Sequence, residues 1–192
     1  MKHIVTIVST ALLASAAAWA AAPNVAAMHA FGHCAAQRSP KDVTYLLEQD
    51  YRSTGYAQGL KALAKKQASC AGSTTAAGGA LFAGVLAEEL LEYGRTPKQV
   101  ASLIGKAPKK PVAGKDDTEN AALCAVRANP GGVAQLLAQP YSPKEENAAL
   151  KALAPAFNGC LKGKKLGAGG TALRSVVALA ACRNFRAAGD DD

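Results

Sequence analysis

Two histidines four residues apart, His29 and His33 in the run HAFGHC, are the first residues of this chain that could do chemistry. On a helix, positions i and i+4 share a face, and two imidazoles placed there can hold a zinc or copper ion. No third ligand accompanies them, because the neighbouring Cys34 belongs to a regularly spaced cysteine set and a bridged sulfur does not coordinate. The pair therefore reads as solvated histidines flanking a structural bridge. No metal is assigned, and His29 and His33 are kept only as weak ligand candidates.

The run KGKKLGAGGT is the second place of interest. Lys162, Lys164 and Lys165 precede Gly169 and Gly170, and backbone amides at the start of the helix that follows could cradle an anion beside those ammonium groups. Gly167, Gly169 and Ala172 fit a loose G-x-G-x-x-A string, but no strand precedes it, which removes the dinucleotide reading. No Gly-Lys-Ser/Thr follows either, which removes the Walker reading. Lys162, Lys164, Lys165, Gly169 and Gly170 form the candidate anion site. The plainer reading is a flexible loop entering the last helix.

No catalytic residue is assigned and no cofactor is implied. There is no Gly-x-Ser-x-Gly elbow, no Cys-x-x-Cys and no Cys-x-x-Cys-His. Glu88, Glu89 and Glu92 read as the wet side of an amphipathic helix rather than as acid and base.

The elements that carry these residues are written twice. The segment from Cys34 to Cys70 recurs as Cys124 to Cys160 at a constant offset of 90, with 14 of 37 positions identical and no gap. Equal spacing in both copies pairs Cys34 with Cys70 and Cys124 with Cys160. Cys182 has no counterpart and reads as a small buried hydrophobe on the last helix.

Alanine richness and leucines at helical spacing predict an all-α fold of two tandem similar units, each with three short helices, one longer helix and its own disulfide. In the first copy a helix over 26–38 stops at Ser39-Pro40. Ser39 caps the next, with Pro40 at its first position and Asp42 at its third, and Val43, Leu46 and Leu47 on its buried face. The third begins near Ser53 and presents Tyr56, Leu60, Leu63 and Ala64. In the second copy Asn129-Pro130 opens one helix, and Ser142, Pro143 and Glu145 form a capping box for the next, with a stripe of Leu150, Leu153 and Phe157. The longer helices bury Phe82, Leu86, Leu90 and Tyr93 in one copy, and Leu173, Val176, Val177 and Ala180 in the other. A short segment capped at Thr96 extends the first unit to Gly105. This gives residues 23–105 as unit 1, 106–117 as a linker rich in proline and lysine, and 118–192 as unit 2 with a short acidic tail.

Residues 1–22 have the form of a secretory signal peptide: Lys2, an apolar run from Ile4 to Ala18, then the small-residue site around Ala20 to Ala22. The run is too short to span a bilayer, so the mature chain is not expected to span a membrane. Export places the protein in the periplasm or outside the cell, where disulfides persist. The formal charge of +8, or +7 once Lys2 is removed, suits solubility and anionic partners. Aromatic residues are few and not interleaved with the basic ones, so no nucleic acid is expected.

The pattern of Cys, Pro, Val-x-x-Leu-Leu, Ala-Leu-x-Ala-Leu and a closing Cys resembles a group of exported alphaproteobacterial proteins with a duplicated cysteine-bounded helical unit and no assigned activity. The resemblance covers nearly all of the mature chain. It implies an exported helical repeat protein, a scaffold or interaction module whose partner is a protein or envelope component, and it transfers no functional residue. The alternative expectation is an anionic ligand or envelope polymer held by the loop 162–170.

Overall fold

The computed structural model describes residues 25–70 and 79–189. The leader expected at 1–22, most of the glycine-rich stretch after Cys70, and the acidic residues 190–192 lie outside the described residues. Among the described residues there are nine helices and no strand: α1 Val25–Arg38, α2 Pro40–Glu48, α3 Thr54–Lys66, α4 Ala80–Glu92, α5 Pro97–Ile104, α6 Asp117–Ala128, α7 Pro130–Leu137, α8 Pro143–Leu161 and α9 Gly170–Ala187.

Local chemistry sets most of these boundaries. Proline opens α2, α5, α7 and α8, where its missing N–H costs nothing. Ser53, Thr96, Asp116, Asn129 and Ser142 each accept a backbone N–H from the first turn of the helix they cap. Thr96 and Gln99 close the reciprocal capping box. Ser39 behaves differently from expectation: its hydroxyl makes no cap bond and instead accepts from Gln67 Nε2 at 2.7 Å, which ties the start of α2 to the end of α3. Helix α8 continues through Pro155 to Leu161 and so carries Cys160 itself.

The two halves are similar units. Pro40 and Pro130 open α2 and α7, and Ala80 and Gly170 open α4 and α9, each pair 90 residues apart. Cys34 is bonded to Cys70 and Cys124 to Cys160, with Cα atoms 5.8 and 5.7 Å apart. Each bridge therefore fastens the first helix of its half to the end of the third.

Helices α4 and α9 form the centre and pack on each other across the two halves. Both are buried nearly all round, because alanine, glycine and serine let neighbouring helices come close on several sides at once. At the crossing, a Cβ added to Gly84 would fall inside van der Waals contact with the Ser175 backbone, so only glycine permits this approach. The one-face reading of α4 is thereby corrected. Phe82 and Leu86 are buried, but Leu90 is only partly buried and Tyr93 is 51% exposed, while Ala83, Gly84, Val85 and Ala87 are enclosed.

The connection between the halves is tied down rather than loose. Lys109 N donates to Ala187 O at 2.7 Å, and Asn184 Nδ2, buried in the last turn of α9, donates to Ile104 O and Lys106 O. Arg127 Nε in turn donates to Asn184 Oδ1 at 2.9 Å.

Gly84→Val should therefore destabilise the fold by about 3 kcal/mol or more, since backbone rather than a flexible side chain stands in the way. Urea unfolding checks this, and a variant as stable as the parent would contradict the crossing described. Reducing either bridge should remove about 3–4 kcal/mol through the freed 36-residue loop.

Candidate functional site

The polar groups with chemical potential meet on the seam between the halves. Helix α1 turns His29 and His33 toward α4, where Glu89 receives both: His29 Nδ1 is 2.9 Å from Oε1, and His33 Nδ1 is 3.0 Å from Oε2. Gln37 Nε2, one turn further along α1, donates to His33 Nε2 at 2.6 Å. With Nδ1 donating to the carboxylate and Nε2 accepting from Gln37, a neutral His33 satisfies both contacts. The expectation of solvated histidines is thus corrected: only His33 is largely exposed. His29 is mostly buried, and its ring lies 3.8 Å from that of Tyr141 in the second half.

Glu88 departs furthest from the sequence reading. Expected to face water, it is 2% exposed and held by Arg174 of α9, itself 1% exposed. Arg174 Nη2 donates to Oε1 at 2.5 Å and Nε to Oε2 at 3.2 Å, a bidentate grip, while Tyr141 donates its hydroxyl to Oε2 at 2.6 Å. Arg174 Nη2 also reaches the carbonyls of Leu137 and Gln139, and the guanidinium carbon stands 3.8 Å from the centre of the Tyr141 ring. Its Nη1 makes no hydrogen bond and has Glu146 Oε2 at 4.0 Å. Glu146 accepts from Thr171 Oγ1 at 3.0 Å, so a carboxylate of the protein already sits at the start of α9.

Burial pushes the Glu88 carboxyl up, and Arg174 and Tyr141 pull it back without cancelling the effect. Burial disfavours the charge on Arg174, but its bonds to Glu88 leave it more basic than usual. Tyr141 is held well above the ordinary phenol range by burial and by the charge on Glu88. Glu92, one turn beyond Glu88 and partly buried, is pushed up to about 7 by burial and then by Glu88 and Glu89.

A second tyrosine corner mirrors the first. Tyr51 donates to Glu119 Oε1 at 2.9 Å, and Arg52, Arg183 and the backbone of Lys115 converge on the same carboxylate. Tyr51 and Tyr141 are 90 residues apart, as are His29 and Glu119. Each half therefore sends its tyrosine to the equivalent position on the first helix of the other, the arrangement a pseudo-twofold axis produces.

The glycine and lysine loop is only partly assembled as a site. Lys162 ends α8 in the left-handed region, Lys164 Nζ is paired with Asp117 at 2.6 Å, and Gly167 N donates to Thr118 Oγ1. Gly169 precedes α9 and Gly170, at φ +53°, begins it. Lys165 lines a groove of about 480 Å³ with Tyr51, Thr118, Ala172 and Val176. Cys182 is free, 1% exposed, and raised to about 11 by burial, which makes it a poor nucleophile. No group of three or more His, Cys, Asp or Glu among the described residues could hold a metal ion, and no helix among them is long and apolar enough to cross a membrane.

Sequence reasoning missed Glu88, Arg174, Tyr141 and Glu146 as partners. The signal available was Arg174 itself, an arginine inside the small and apolar run GGTALRSVVALAAC, a position that calls for a buried carboxylate. Comparison of the chain with protein-family models, with curated proteins and with solved structures gives no match.

Arg174→Met should cost about 3–5 kcal/mol by stranding Glu88, whereas Arg174→Met with Glu88→Leu should recover most of that loss. Chemical denaturation of both variants checks it. Glu92 fixes a pH dependence. Its folded pKa of about 7 lies above the ordinary 4.5, so between these values the folded state holds the proton that the unfolded state releases. Its contribution to stability is thus lost as pH rises through that window, by about 1–2 kcal/mol after allowance for partial exposure. Glu92→Gln should raise Tm at pH 8 and flatten the fall between pH 5 and pH 7; an unchanged slope would count against the assignment.

Proposed function

We propose that the protein is an exported binding and scaffolding module of the periplasm or extracellular space, built by internal duplication of one disulfide-stapled helical unit, and that it performs no catalysis. One observation carries the reading. The side chains best able to do acid–base work are spent on one another: Arg174 and Tyr141 of the second half hold Glu88 of the first across the seam, and His29 is paired with Glu89 beside them. A catalytic constellation instead presents its groups to a cavity where substrate can reach them. Two intact bridges suit an oxidising compartment, and the leader-like start and the resemblance to exported alphaproteobacterial proteins agree with it. The partner under this reading is a protein or envelope component that meets an outer face. Tyr45, 66% exposed on α2, is the most exposed of the large hydrophobic side chains among the described residues.

Expression of the full chain with its leader in a Gram-negative host provides the test. The expected product is a processed periplasmic form with one thiol that alkylates only after unfolding. A photo-crosslinking residue at position 45 should then give one discrete adduct. An unprocessed, reduced cytoplasmic product would overturn the compartment. Absence of any adduct at 45 together with turnover of a substrate by the purified protein would overturn the non-catalytic role.

A further inference from the structure

The two tyrosine corners are equivalent in position but not in filling. The first half carries Met28, Phe82 and Leu86, which are 3%, 1% and 0% exposed. The positions 90 residues on are Thr118, Ala172 and Val176, and these line the groove beside Tyr51. Each replacement is smaller. Where the first half has Met, Phe and Leu, the second has these smaller residues beside a groove of about 480 Å³, a volume within the ordinary range for a small-molecule site of roughly 300–1,000 Å³.

The chemistry of the lining selects the ligand. Ala80, Ala168, Ala172, Val176 and the Tyr51 ring give an apolar wall. At the rim, Asp116 is paired with Arg52 at 2.6 Å and Asp117 with Lys164 at 2.6 Å, so both acids are already compensated. Thr118 Oγ1 is engaged by Gly167 N. Lys165 is exposed and has no carboxylate partner among the described residues. The uncompensated rim charge is therefore positive.

We propose that the groove beside Tyr51 is a binding cleft for a small amphipathic anion, an acyl or aromatic carboxylate whose apolar body lies on Ala172 and Val176 and whose head pairs with Lys165. The site goes beyond a docking role for the outer faces and does not depend on it. Of the candidate anion residues, only Lys165 takes part; the start of α9 is already served by Glu146.

Three ten-carbon probes, decanoate, decanol and decylammonium, test this by calorimetric titration of the oxidised full chain, with amide chemical shifts locating the site. Decanoate should bind saturably, at least tenfold tighter than the other two, and shift the amides of Ala80, Ala168 and Ala172. Ala172→Phe imports the side chain that fills the equivalent position in the other half and should weaken decanoate at least tenfold. Lys165→Glu, on an exposed loop where folding is not at stake, should do the same. Equal affinity for the three probes, tighter binding of decylammonium, absence of saturable binding, or undiminished binding by the Lys165 variant would each overturn the proposal.

Discussion

The backbones of α4 and α9 touch because residue 84 has no side chain, and the charged interior of the molecule follows from that contact. Ser175 sits against Gly84; Arg174 precedes it, and Glu88 follows Gly84 by one turn. A wider crossing would leave the guanidinium and the carboxylate apart, each buried and each without its partner. Close approach thus has two effects at once. It excludes water from the seam, and it brings together the two groups that could not otherwise remain there.

A buried ion pair of this kind adds little net stability, because desolvation offsets most of the attraction. Its value lies in register. If α9 slid by one turn, Arg174 would lose Glu88, the Leu137 and Gln139 carbonyls and the Tyr141 ring together. Apolar packing between two alanine-rich helices tolerates several registers, whereas the Arg174 network tolerates one. The His29 and His33 contacts to Glu89 fasten α1 to the same stretch of α4, so one turn of that helix locates three of its neighbours.

The helices and the sulfur pairing were legible from sequence because both are local or repeated signals. Prolines and capping residues mark where helices begin, and the offset of 90 decides which cysteines meet. What was not legible depends on where a helix sits. Glu88, Glu89 and Glu92 have the spacing of a wet face, and that reading assumes one side meets solvent; α4 is central and has no such side. Likewise His29 and His33 were correctly placed on one face, but nothing local says that Glu89, 56 residues beyond His33, lies opposite. Lys164 and Lys165 look interchangeable in the sequence, yet one is neutralised by Asp117 and the other borders a groove. The 106–117 stretch reads as a linker by composition, and its hydrogen bonds to α9 come from residues far along the chain.

The closed loops, residues 34–70 and 124–160, contain α2 and α3 in one half and α7 and nearly all of α8 in the other, and leave α4 and α9 outside. The covalent knots therefore guard the periphery, while the centre is held by contact alone. Pulled from its two ends, the oxidised protein would lengthen by peeling its central pair apart and could not draw chain from within either loop. Its mechanical weak point and its most deeply buried helices are the same place.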